Sequence, residues 1–317
     1  MARLLILLTF PTQVRDQYRL RLAEKFPQLQ IDVVDHYFKA EPFIRSADAL
    51  LTFGPMLKDE VFRAAERLKW VQALGTGVDG IVDQPSLRDG IVVTNIRGIH
   101  GAPVSEAAVM MMLALARGFA ESVRNQDRHV WTRWPAQLLD GKTVGIFGVG
   151  LIAEALAPKC DALGMTVMGF TSAKRALPGF DSMHGRDELI ALAPRLDFLV
   201  LLAPYSQEIR HLIDARMFAA MKPTSYLVNL ARGGIVDEDA LVAALDRGAI
   251  AGAALDVFRE EPLPAEHPLW TRRNVLVTPH LGGFFDAYPE RALPTIEHNM
   301  ACFLRGDFDG MINVVRR

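Results

Sequence analysis

Short apolar runs rich in Val, Ile and Leu recur along nearly the whole chain, separated by longer segments of helical composition. The first series lies at 4–8, 31–34, 49–53, 71–74 and 91–94. These runs lack a clean alternation of apolar and polar residues, the pattern of parallel strands covered on both faces. Residues 12–26, between the first two runs, have the length and composition of a helix. Strand, helix and strand in that order build a right-handed parallel unit. A second series follows at 143–147, 166–170, 198–202, 226–230, 252–257 and 275–278. One of its intervening segments, 237–247, opens on acidic residues and is followed by Gly248, as a helix should be. Six strands joined this way make a complete doubly wound sheet. The expected fold is α/β with two doubly wound parallel sheets, and 317 residues suit two domains of about 150 each.

Composition narrows the function. Half of the residues are hydrophobic and 23% are charged, which excludes a disordered or collagen-like chain. Lys and Arg number 35 against 37 Asp and Glu, for a formal charge of −2. No basic excess is present to hold a nucleic acid. Cys160 and Cys302 lie far apart with no Cys/His spacing around them, so neither a disulfide framework nor a metal site is expected. The run at 4–8 behind Arg3 reads as a strand, because Pro11-Thr12-Gln13 follows it where a signal peptide would carry a small-residue cleavage site. Residues 107–116 are too short to span a bilayer, which needs about 20. No membrane association and a cytoplasmic location are expected.

Between the two series, residues 104–116 are apolar around the whole circumference after Glu106. A helix without a polar face is expected to be buried, between domains or between subunits. Trp131 and Trp134 precede the second series, and 286–304 forms a last helical segment after it.

Gly145-Ile-Phe-Gly148-Val-Gly150-Leu151-Ile152-Ala153 joins an expected strand to an expected helix. Gly148 suits a tight turn, Gly150 a close approach of pyrophosphate to the backbone, and Ala153 close helix–strand packing. The helix N-terminus offers N–H groups to phosphates. Turn formation alone is the competing reading of these glycines, and the strand–turn–helix context favours a dinucleotide. A carboxylate for the ribose 2′-hydroxyl is expected about 20 residues further on. Thr171 stands there instead, followed by Ser172, Lys174 and Arg175. Loss of the carboxylate and gain of two cations favours NADP(H), with NAD(H) the alternative and an exposed solvated loop the bland one.

Three further strand ends carry chemistry: Asn229-Leu-Ala-Arg232-Gly233-Gly234, Ala254-Leu-Asp256 through Glu261-Pro262, and Thr278-Pro-His280-Leu-Gly282-Gly283. Carboxyl ends of strands line the ligand crevice of an open α/β sheet, so Arg232, Glu261 and His280 can converge. Singly, each has a bland reading as a surface charge, a loop carboxylate or a structural histidine. Ala203-Pro204, Leu230-Ala231 and Gly282 stand just past strand ends and complete the cofactor candidates with Leu151 and Ile152.

These stretches resemble the D-isomer-specific 2-hydroxyacid dehydrogenase family. The similarity runs from Leu74-Gly-Thr-Gly77-Val-Asp79 through Val104-Ser-Glu106, Gly141-Lys-Thr-Val and Asp237-Glu-Asp-Ala-Leu to Gly283. The resemblance implies that Arg232, Glu261 and His280 are the catalytic Arg, Glu and His, with His280 the acid/base. It implies that Gly77 and Val78, beside Thr76, bind the substrate carboxylate, and that Asp256 binds the nicotinamide amide. A capping role is the alternative for Asp256. It further implies a flavodoxin-like substrate domain of residues 1–98 and 285–317, a Rossmann domain of 99–284, and a homodimer formed through the latter. Leu151 departs from an Arg common in the family, Ala153 from its third glycine, and Thr171 from its acidic residue. No appended regulatory domain is expected after Arg317. The 171–175 loop and the LDVFREEPLP stretch look most like glyoxylate/hydroxypyruvate reductases, so a small 2-oxo acid is the expected substrate. Phosphoglycerate, pyruvate or a larger 2-oxo acid is the alternative, as is a dinucleotide-sensing protein resembling the family's corepressors. Substrate size is expected to be set near Phe53-Gly54-Pro55, Thr76 and Phe284-Phe285.

Overall fold

The structure, a computed structural model, describes residues 1–315. Contacts divide the chain into two compact units, Met1–Ile99 with Phe285–Arg317, and His100–Phe284. In the first, strands β1 (Arg3–Leu7), β2 (Gln30–Val34), β3 (Ala49–Thr52), β4 (Trp70–Ala73) and β5 (Val92–Thr94) form one sheet. All its pairings are parallel, in the order β2-β1-β3-β4-β5, which is the flavodoxin-like arrangement. Leu5, Ile6, Ala49, Leu50, Val71 and Ala73 are fully or almost fully buried, which explains why their runs show no polar alternation. The terminal helix Tyr288–Arg305 belongs to this unit. Its Glu297 pairs with Lys25 at 2.5 Å and Arg21 at 3.2 Å, and its Asn299 donates to Gln72 of β4 at 3.0 Å.

The second unit holds β6 (Thr143–Phe147), β7 (Thr166–Thr171), β8 (Ser182–Gly185), β9 (Phe198–Leu201), β10 (Tyr226–Asn229), β11 (Gly252–Leu255) and β12 (Val275–Val277). They form one parallel sheet in the order β12-β11-β10-β9-β6-β7-β8. The chain leaves β6 towards β7 on one side and returns to β9 on the other, so the switch point lies between β6 and β9. One apolar cluster covers each face of this sheet. Leu156, Ala157 and Met112 contribute to one; Phe218, Leu241 and Leu245 contribute to the other.

Strand β8 is missing from the sequence expectation of six. Ser182-Met-His-Gly185 contains no β-branched residue, and all four positions are half-buried at the sheet edge. Pairing to β7 makes it a strand, and that pairing leaves no periodic signal. The run at 252–257 also ends early, at Leu255, because Asp256 turns to hold a neighbouring loop.

Helix Gly101–Arg117 packs one face, through Ala108, Met111, Met112 and Ala116, on the sheet of its own unit. Met110 and Leu113 remain 52% and 37% exposed on another face. Among the described residues, no single helix is long and apolar enough to cross a membrane.

Candidate active site

The glycine turn after β6 has the shape a dinucleotide requires. Gly148 adopts φ +96°, and a Cβ there would collide with the backbone of Ala203 at the end of β9. Any side chain would therefore be strained twice. A Cβ on Gly150 would meet nothing within 4 Å, so the backbone is open on that side. Helix Leu151–Ala162 starts directly afterwards with no side-chain cap, leaving its first N–H groups for an anion. Ala153 is fully buried, while Leu151 is 64% exposed. These residues fit a pyrophosphate, and β7 runs beside β6 to end at Thr171.

Thr171 ends β7 and is buried, its hydroxyl accepting from the Ala173 N–H at 3.2 Å. Ser172, Lys174 and Arg175 follow on the exposed turn. Lys174 donates to Glu188 at 2.5 Å and Arg175 to Glu154 at 2.6 Å. The Lys174 ammonium holds the Glu188 carboxyl well below its usual range. Both nominated cations therefore already have carboxylate partners.

Arg232 follows β10, and its half-buried side chain donates from Nη1 to the Ala231 carbonyl at 2.7 Å. Asn229 braces the turn: its side chain accepts from Ala231 N–H at 3.1 Å and donates to the Arg232 carbonyl at 3.0 Å. Sequence reasoning quoted Asn229 without a role. Gly233 lies against the Phe258–Arg259 peptide so closely that a Cβ would collide with it.

Past β11, Glu261 accepts from the Phe258 N–H at 3.0 Å through Oε1. Its Oε2 lies 2.7 Å from Nδ1 of His280, past β12. The carboxylate accepts the Nδ1 proton, which leaves Nε2 as the working nitrogen. The two side chains are 17% and 20% exposed, buried enough to strengthen the pair and open enough to meet a ligand. His280 has φ +54°, a left-handed backbone unusual for a non-glycine residue. Its N–H donates to the Asp256 carbonyl at 2.8 Å, which fixes that conformation.

Asp256 is buried and accepts through both carboxylate oxygens. Oδ1 accepts from Thr278 Oγ1 at 2.5 Å and from Leu281 N–H at 2.8 Å, while Oδ2 accepts from Gly282 N–H at 2.8 Å. It binds the 278–282 turn to the end of β11. Gly282 is tight as well, since a Cβ there would lie 2.7 Å from Leu230 and 2.9 Å from Asp256.

His100 escaped the sequence reading because nothing in its neighbourhood marks it. It precedes helix Gly101–Arg117, is 8% exposed, and packs near Gly283. Burial, aided by the Arg232 charge, pushes its pKa down to about 4. A neutral imidazole is thereby kept beside the guanidinium.

In the other unit, Gly75-Thr76-Gly77-Val78 follows β4. The Thr76 hydroxyl donates to the Ile96 carbonyl at 3.0 Å, and the Thr76 carbonyl accepts from Asn95 at 2.6 Å. The Gly54 and Asp79–Gly80 backbones touch, so the turns after β3 and β4 brace each other. Among the described residues, no group of three or more His, Cys, Asp or Glu is placed to hold a metal ion.

A family model described as D-isomer specific 2-hydroxyacid dehydrogenase, NAD binding domain, matches residues 109–282. A D-3-phosphoglycerate dehydrogenase of Methanocaldococcus jannaschii is 33% identical over 276 residues, 86% of this chain and 52% of that protein. The chain thus spans about half the length of that relative. A glyoxylate reductase of Thermococcus gammatolerans is 32% identical over 310 residues, 90% of this chain and 92% of that one. Among solved structures, an NADPH-dependent glyoxylate/hydroxypyruvate reductase of Sinorhizobium meliloti, in complex with NADP and sulfate, aligns with a TM-score of 0.81. That alignment has 28% identity and covers 99% of this chain and 98% of the other.

Proposed function

We infer the reaction from one premise: this chain belongs to the D-isomer specific 2-hydroxyacid dehydrogenase family. It is an NAD(P)-dependent oxidoreductase. Our reading is that it reduces a small 2-oxo acid, of the glyoxylate or hydroxypyruvate type, to the D-2-hydroxy acid. The 2.7 Å contact between Glu261 and His280 carries this reading, since it occupies Nδ1 and leaves Nε2 as the nitrogen for proton transfer at the strand-end edge that also bears Arg232.

A 2-oxo acid presents a carboxylate beside a carbonyl. Arg232 holds the carboxylate with its planar fork and polarises the carbonyl oxygen. When bound, the reduced nicotinamide supplies the hydride that the carbonyl carbon takes up. His280 Nε2 gives its proton to the developing alkoxide, and Glu261 favours the charged ring that does so. In the oxidative direction the neutral ring takes the proton back. Thr76, Gly77 and Val78 are assigned to the substrate carboxylate, with backbone N–H groups as the donors.

Gly148, Gly150, Leu151 and Ile152 are assigned to the pyrophosphate, Thr171 to Arg175 to the adenosine ribose, and Ala203, Pro204, Leu230, Ala231, Asp256 and Gly282 to the nicotinamide half. NADP(H) is the preferred form. Lys174 and Arg175 would exchange carboxylate partners for the 2′-phosphate. Such exposed pairs are screened by solvent and weak, so the exchange costs little. A relative solved with NADP supports the preference. The unit of residues 1–98 and 285–317 is assigned to the substrate and that of 99–284 to the dinucleotide. A homodimer is proposed through the apolar face of Met110, Leu113 and Phe119, with light scattering at twice the chain mass expected. The buried thiols Cys160 and Cys302 suit a cytoplasmic location.

The test is a panel of 2-oxo acids assayed with NADPH and NADH. Turnover of glyoxylate or hydroxypyruvate, with higher kcat/KM for NADPH, is expected. Binding of the dinucleotide without turnover on any 2-oxo acid would refute the reading, and equal or better kcat/KM with NADH would overturn the cofactor preference.

A further inference from the structure

Glu238 opens helix Glu238–Asp246 and is 5% exposed, a burial that a carboxylate tolerates only with strong partners. Oε1 accepts from the Arg259 backbone N–H at 2.6 Å. Oε2 faces Nε2 of His267 at 3.4 Å. The helix itself does not need this side chain as a cap, because Asp237 already accepts from Ala240 N–H. The Arg259 guanidinium is turned elsewhere, 3.5 Å from Asp239. Glu238 thus grips a main-chain amide two residues before Glu261.

That amide belongs to the Phe258–Arg259 peptide, which Gly233 also touches. The next hydrogen bond in the series runs from Phe258 N–H to Glu261, and the one after joins Glu261 to His280. The stretch 232–238 therefore carries the substrate-facing guanidinium at one end and, at the other, the carboxylate that clamps the Glu261 loop.

We propose that Glu238 is a positioning residue for the reduction: by clamping Arg259 N–H it holds Glu261 against His280. This rests on the acid/base reading of that pair. Without the clamp the loop relaxes, Glu261 spends less time on Nδ1, and the charged imidazole loses its support.

Reduction of hydroxypyruvate by NADPH across pH, in wild type, Glu238→Ala, Glu238→Gln, Glu261→Gln and the Glu238→Ala/Glu261→Gln double variant, tests this. Glu238→Ala should lower kcat by roughly tenfold to a hundredfold, with little change in the KM for NADPH. Its alkaline limit should move down towards that of Glu261→Gln, by up to about one pH unit. Glu238→Gln keeps an oxygen for the Arg259 N–H, so its limit should stay near wild type. In the double variant Glu238→Ala should add no further shift. If Glu261→Gln moves the limit and Glu238→Ala does not, the positioning role is overturned and the acid/base pair stands. If neither moves it, the pair itself fails and takes the proposal with it. Should Glu238→Ala not fold, Glu238→Asp, which is a methylene too short to reach Arg259, carries the same prediction and the same refutation.

Discussion

The imidazole of His280 is held on three sides by backbone and carboxylate: Asp256 fixes its main chain, Glu261 its Nδ1, and a left-handed φ aims the ring. On the proposed mechanism, removing that ring removes the proton donor alone. His280→Ala should keep cofactor affinity and lose about 10²–10⁴ in turnover, read by NADPH titration and steady-state kinetics side by side. Near-normal turnover would contradict the assignment. His100 makes a different prediction, in stability. Its folded pKa, about 4, lies below the unfolded value of 6.5. Between those values the unfolded chain binds a proton that the folded chain refuses, so stability falls as pH drops through the window. His100→Gln should therefore lose less melting temperature than wild type between about pH 6.5 and 4. Parallel slopes would refute a buried neutral histidine. Arg232, Glu261 and His280 were legible in the sequence because each stands at a strand end inside a distinctive motif. His100 was not, and Glu238 stood inside a quoted motif without a role of its own. Their partners, the Arg232 guanidinium and the Arg259 N–H, are far away in the chain, and a backbone donor leaves no trace in residue type.

At the scale of elements, the turn from β6 into helix Leu151–Ala162 is constrained both by backbone conformation and by close packing. Gly148→Ala would place a side chain at φ +96° and against Ala203 at once. Left-handed geometry alone costs about 1–2 kcal/mol for a non-glycine residue, before the collision is counted. The variant should melt earlier and show no measurable NADPH binding by calorimetry; wild-type affinity would mean that the turn is not the phosphate site. The strands were mostly legible because burial on both faces writes itself as an unbroken apolar run. Strand β8 was illegible for the converse reason: at an edge, half-exposed and without β-branched residues, it is a strand only by virtue of β7. Helix Gly101–Arg117 was legible only in part. Its sequence is apolar all round, while the fold covers one face and leaves Met110 and Leu113 exposed, and composition cannot say which face a neighbour takes.

For the whole molecule, the proposal gives two parallel sheets of different order different tasks, one the substrate and the other the dinucleotide. The five-stranded sheet presents the turns after β3 and β4, and the seven-stranded sheet presents its glycine turn, Arg232, Glu261 and His280 at the same kind of strand end. The sequence read both sheets from apolar runs but could not show that Lys174 and Arg175 already hold Glu188 and Glu154. On the proposed reading, cofactor choice is a competition between phosphate and carboxylate for these two cations. All of these assignments meet in one event, delivery of hydrogen to a carbonyl carbon. The most direct measurement is the mass and configuration of glycerate formed from hydroxypyruvate and NADPH dideuterated at the nicotinamide C4. The account predicts D-glycerate carrying a single deuterium at C2; unlabelled glycerate, the L isomer or no product would contradict it.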